Sequence, residues 1–235
     1  LGKDMDFPEK MGILIENPAF LGSLSGFENL RLLASIKGHI NENKIKETIS
    51  RVGLNPDDKK KYRKYSLGMK QRLGIGLALV GDPELLLLDE PINGLDPQGI
   101  LEVREMLTSL VKERNMTIII SSHILEELSK VATHFGIIDN GVLIKELSHD
   151  ELVEECRERI KLITDGSSQA AVKSLGINKM NIIDDNNIEI LEGFDSVPEM
   201  VFALAEKKIR VKSISVANDS IEEYFIKLTG GKNNA

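Results

Sequence analysis

Two carboxylates stand side by side where an apolar run stops: Leu85 to Leu88 leads directly into Asp89-Glu90-Pro91. A run of leucines without alternation predicts a strand buried on both faces of a mainly parallel sheet. The acids then lie at its carboxyl edge, where open α/β folds bind ligands. Adjacent acids beside apolar residues are costly without a metal or a specific partner. The chemistry such a pair supports is metal-assisted attack by water, with Asp89 holding Mg²⁺ and Glu90 orienting or deprotonating the water. The plainer alternative is a strand that exits into solvent with two acids at its mouth.

Three other groups have types and settings that bear on the same chemistry. Ser66 in Tyr65-Ser66-Leu67-Gly68-Met69-Lys70-Gln71-Arg72 is a sound N-cap. The free N–H groups of the first turn that follows form an anion site, and Gly68 lets a bulky anion approach the backbone. As a helix cap alone, the segment would be unremarkable. Asn93-Gly94-Leu95-Asp96-Pro97 is a turn carrying one acid, and His123 follows Ser121-Ser122 at the end of a second apolar strand. A histidine there can donate to a phosphate oxygen or position a water, although a lone histidine is more often structural. His39, His134 and His149 have no such surroundings.

The elements that must position these groups follow from periodicity and punctuation. Met11 to Ile15 reads as a short strand. Ser25 to Glu28 has capping-box spacing before a helix that Gly38 closes, and a second helix with Ile45, Ile49 and Val52 on one face ends at Gly53. Lys59 to Lys64 is a basic run that reads as a solvated face. A third helix follows Ser66 and breaks at Gly81-Asp82-Pro83. Leu101 to Arg114 reads as a helix, Thr117 to Ser121 as another buried strand and Ile124 to Ala132 as a helix. Phe135–Asp139 and Val142–Glu146 flank Asn140-Gly141, the strongest hairpin signal in the chain.

Beyond that point the pattern changes to β-α-β-β-α-β plus a helix, the split βαβ order of a ferredoxin-like unit. The expected fold is therefore α/β, with an inserted helical subdomain over about 20–82 and a small C-terminal α+β appendage. The expected domains are 1–150 and 158–235, divided near Ser148–Arg157.

Bulk properties narrow the class. The 235 residues are 41% hydrophobic and 29% charged, the profile of a globular chain with a full core. A net charge of −7 offers no overall basic field for nucleic acid. The single cysteine, Cys156, cannot form an intrachain disulfide and reads as a small apolar helix residue. No apolar run approaches the ~20 residues that span a bilayer, so a membrane role is expected to act through a partner chain.

Order and spacing together carry the resemblance. Ser-x-Gly capping a helix, a strand ending Asp-Glu-Pro, Gly-Leu-Asp-Pro, and a strand ending Ser-His are similar to the ABC ATPase cassette, from residue 1 to about Lys145. By position, the resemblance implies that Ser66 and Gly68 belong to the signature motif, Asp89 and Glu90 to Walker B, Asp96 to the D-loop and His123 to the switch histidine. Glu16 falls at the Q-loop. It also implies ATP and Mg²⁺ as ligands, a second nucleotide-binding subunit and a membrane permease as partners, and a cytoplasmic location on the inner face of the membrane.

Tyr-Ser-Leu-Gly-Met in the signature and an acid at the Q-loop depart from the usual pattern. They resemble the bacitracin- and lantibiotic-exporter branch, which implies export of antimicrobial peptides. No Gly-x-x-x-x-Gly-Lys-Ser/Thr occurs in these residues. The family's P-loop and the strand-loop-helix around it are expected to precede Leu1, and without them the chain as written is expected to bind and hydrolyse MgATP poorly. Two rival readings are a soluble ABC protein outside transport and a non-catalytic fragment that only binds partners.

Overall fold

The computed structural model describes residues 10–15, 19–36, 38, 41–114, 116–173, 175–191 and 197–230. Contacts divide the chain into two compact units, Leu1–Val131 and Ala132–Ala235.

In the first unit, β1 (Met11–Leu14), β2 (Leu85–Asp89) and β3 (Thr117–Ser121) form a parallel sheet in the order β1-β2-β3. Gly12 lets β1 pass close under a helix, since a Cβ there would lie 2.2 Å from the Ala78 carbonyl oxygen. Between β1 and β2 come the helices α1 (Gly26–Ile36), α2 (Glu42–Arg51) and α3 (Leu67–Leu79), with a 3-10 turn at Tyr62–Lys64. The expected capping box starts α1: Ser25 N donates to Glu28 Oε2 at 2.6 Å, and Glu28 N donates to Ser25 Oγ at 3.3 Å. Asn41 caps α2 by accepting from Asn43 N and Lys44 N. Leu30, Ile49, Val52, Leu73, Ile75, Leu86 and Val103 are fully buried and join helices and sheet in one core.

Two sequence expectations change here. The helix α4 (Pro97–Arg114) starts earlier than Leu101, because Asp96 Oδ1 accepts from Gly99 N at 3.0 Å and Pro97 sits at the first helical position, where its missing N–H costs nothing. The strand β3 is not buried on both faces. Its residues alternate between exposed and half-buried, and Ile119 is 56% exposed, because nothing among the described residues covers the face that Thr117, Ile119 and Ser121 share. The strand β2 keeps Leu86 and Leu88 buried and leaves Leu85 and Leu87 half-buried. A short helix, α5 (Leu125–Ser129), closes the unit.

The second unit opens with a hairpin of β4 (His134–Asp139) and β5 (Val142–Ser148), turned by Asn140 and Gly141, both at positive φ as a two-residue turn requires. Where the sequence predicts a boundary, the helix α6 (His149–Glu155) follows at once with a capping box of Ser148 and Glu151. Then come β6 (Arg159–Thr164), α7 (Ser168–Lys173), β7 (Met180–Asp184), β8 (Asn187–Ile190), α8 (Val197–Glu206), β9 (Val211–Ala217) and α9 (Ile221–Leu228). The four strands β6 to β9 pair antiparallel in the order β7-β8-β6-β9, which is the split βαβ arrangement.

The division falls at Val131 rather than near Ser148–Arg157, because hairpin, α6 and α9 share a small core of Leu147, Leu152 and Tyr224. Cys156 closes α6, and burial pushes its thiol pKa up. No helix among the described residues is long and apolar enough to cross a membrane.

Candidate functional site

The parallel register of β2 and β3 sets Asp89 beside Ser121, so the ends of both strands open on one edge of the sheet. Ser121 Oγ donates a short hydrogen bond to Asp89 Oδ1 and accepts from Glu90 N at 3.2 Å. Glu90 N also points to the Ser121 carbonyl oxygen at 3.2 Å. Glu90 itself has a φ of 48°, a left-handed conformation that is costly for a residue with a side chain and is held here by those bonds. Gln71, buried in α3, reaches the Glu90 carbonyl oxygen with Nε2 at 3.4 Å and ties the helix to the turn after β2.

The turn aims the Glu90 carboxylate at the segment after β3. Its Oε1 accepts from His123 N at 3.1 Å and lies 2.8 Å from His123 Nδ1. Its Oε2 is buried and has no hydrogen-bond partner among the described residues. A buried carboxylate oxygen without a partner is uncommon and suits a water or a cation. Among the described residues no cluster of three or more His, Cys, Asp or Glu could cage a metal.

Ser66 is the N-cap of α3, its Oγ accepting from Met69 N at 3.3 Å. A Cβ placed on Gly68 would meet Leu95 Cδ2 at 3.9 Å, an ordinary van der Waals contact. Leu67 lies against Gly94. The Ser66–Gly68 corner and the turn before Asp96 are thus neighbours. Asp96 remains exposed while capping α4. The structure therefore brings Asp89, Glu90 and His123 together and puts Gly68 next to the Asp96 turn. Glu16 lies outside the described residues. Ser121 and Gln71 also join the site, a part that only register and packing reveal.

The ABC transporter family model matches residues 3–93. The bacitracin transport ATP-binding protein BcrA of Bacillus licheniformis is 41% identical over 225 residues, covering 94% of this chain and 74% of that protein. The chain belongs to the ATP-binding proteins of ABC transporters. A BcrA from Enterococcus faecalis is 38% identical over 224 residues, covering 94% of this chain and 73% of its own. The lantibiotic transport ATP-binding protein SrtF of Streptococcus pyogenes is 45% identical over 141 residues, 60% of this chain and 61% of that one.

Among solved structures, cbiO1 of Clostridium perfringens, described as part of the ABC transporter complex cbiONQ, superposes with a TM-score of 0.56 at 26% identity. That match covers 63% of this chain and 60% of the other, so the chain spans less than two thirds of that structure. The family is one of nucleotide-binding ATPases, and the α/β cassette fold expected from the motifs is confirmed.

Proposed function

We propose that this chain is the nucleotide-binding subunit of an exporter, coupling ATP hydrolysis to the work of a separate membrane permease. The observation that carries the reading is the Glu90–His123 pair at the carboxyl edge of β2 and β3, with an oxygen of Glu90 left unpartnered. In this reading Glu90 accepts the proton of the attacking water, or orients it, through Oε2. His123 keeps the other carboxylate oxygen occupied and so fixes the direction in which Oε2 points. Asp89, held by Ser121, is the ligand for Mg²⁺, which when bound offsets phosphate charge. Ser66 and Gly68 place the positive end of α3 toward a γ-phosphate carried by a second copy of the subunit, and Asp96 and Glu16 line the same interface.

Relatives named for bacitracin and lantibiotic transport support antimicrobial peptides as the exported class. A permease partner would hold the subunit at the cytoplasmic face of the membrane. The test is Glu90→Gln in the intact protein. MgATP binding should persist while turnover falls about 10²- to 10⁴-fold, the range for losing a general base. Turnover at the wild-type rate would remove Glu90 from the mechanism.

A further inference from the structure

The basic run read from sequence as a solvated face has more to it in three dimensions. Residues 59–81 hold seven Lys and Arg and no Asp or Glu, within a chain of net charge −7. Lys59, Lys60, Arg63 and Lys64 are exposed, and none of them forms an ion pair among the described residues. Lys60 Nζ has only Met69 Sδ, at 3.7 Å.

The acids nearby are already engaged. Glu28 closes the capping box of α1 and binds Lys61 at 3.2 Å, Asp57 binds Lys46 at 2.8 Å, and Asp58 Oδ1 accepts from Lys60 N. The 3-10 turn that carries Arg63 and Lys64 is fastened to the loop before α1. Tyr62 N donates to the Leu24 carbonyl oxygen at 2.8 Å, and Arg63 N to that of Gly22 at 3.2 Å. The Phe20 and Tyr62 rings meet tilted at 60° with centroids 5.0 Å apart, and Leu21 of the same loop is 50% exposed. Four unpaired cations are thus bordered by a loop that carries an exposed leucine.

We propose that this face docks on an anionic phospholipid surface. The proposal rests on the placement beneath a membrane permease argued above. Three of the four cations are lysines, point charges on long stems that suit a fluid layer of headgroups rather than one fixed carboxylate. The attraction of each Lys or Arg to such a surface acts within a Debye length. Leu21 can enter the interfacial layer while the cations stay at headgroup level. Because the rest of the chain is strongly acidic, an anionic bilayer repels every other approach. The patch therefore orients the subunit as well as binding it, and would keep the α1–α3 face toward the membrane whether or not nucleotide is bound.

The experiment is sedimentation of the full-length protein, without nucleotide, with vesicles of phosphatidylglycerol or of phosphatidylcholine alone. Binding should require phosphatidylglycerol and vanish between about 0.1 M and 1 M salt, as the Debye length falls from ~10 to ~3 Å. Lys59→Gln/Lys60→Gln/Arg63→Gln/Lys64→Gln should weaken it more than about 100-fold, at roughly fivefold per cation. Single substitutions give the graded version should the quadruple variant unfold. Lys207→Gln/Arg210→Gln, exposed cations of the second unit, should change nothing. Equal binding to both lipids, or unchanged binding by the Gln variants, overturns the proposal. So does failure to bind vesicles together with charge-dependent binding to polyglutamate, which would assign the patch to an acidic protein partner. No nucleotide is present, so loss of the ATPase reading and loss of this one are read separately.

Discussion

In the unit that ends at Val131, Glu90 keeps a buried oxygen without a partner, and His123 beside it has a side chain 63% exposed. In the unit that begins at Ala132, the ionic groups close on one another. Arg159 lies 3.2 Å from Glu189 and 3.4 Å from Asp219, with side-chain exposures of only 16%, 14% and 9%, and also donates to the Glu155 carbonyl oxygen. Burial alone would raise the pKa of Asp219, but Lys227, Arg159 and Lys161 outweigh it and hold the carboxyl low. Lys145, bound to the Tyr224 hydroxyl at 2.6 Å and to Glu155 at 2.9 Å, is held strongly protonated. The first unit leaves valence at strand ends for a ligand; the second uses its ions as internal fasteners between β6, β8 and α9.

The largest stability effect should come from breaking those fasteners. Arg159→Ala strands Glu189 partly buried and leaves Asp219 with Lys227 alone, and about 3 kcal/mol should be lost, the low end for breaking a buried pair because Asp219 keeps that partner. Thermal unfolding should show the loss in the second unit alone. An equal loss in the first unit would end the contrast drawn here.

A smaller change tests the open side. Ser121→Ala removes both the donor to Asp89 and an acceptor for Glu90 N, and turnover should fall about tenfold through loss of a hydrogen bond to a charged group. Ser121 is exposed, so stability should barely move. Recovery of turnover by Ser121→Thr would mark the hydroxyl as a positioning group, and no recovery would count against it.

The smallest effect is a pH dependence at α1. Hydrogen bonds from Ser25 N, then Lys61, hold the Glu28 carboxyl at about 2, below its ordinary 4.5. A folded-state pKa that is depressed contributes stability above 4.5 and loses it as pH falls toward 2. Protection of the amides at the start of α1, relative to their intrinsic exchange rates, should therefore fall over that window and not above it. Glu28→Gln, which keeps an acceptor and drops the charge, should flatten the response.

Much of the fold was legible because its punctuation is local. Ser25…Glu28, Ser66 and Asn140-Gly141 are settled by which side chain reaches which backbone group a few residues away, and each does what its spacing implies. The helix α6 was missed although Ser148…Glu151 has the same capping-box spacing, because the change of pattern there was read as a boundary. The isoleucine run of β3 misled for a different reason: burial on the second face depends on what lies across the sheet, which no window of sequence reports.

The sequence by itself determined the residue types of the site and their order, Ser66-x-Gly68, Asp89-Glu90, Asp96 and His123, since each sits at the end of an element whose limits are set by nearest neighbours. Only the tertiary structure decided how they act together. The register of β2 on β3 brings Ser121 to Asp89 across 32 positions, and the left-handed turn at Glu90 sends its carboxylate to His123 across 33. Such contacts depend on strand pairing and a strained φ that long-range packing stabilises, and chain-local propensity carries neither.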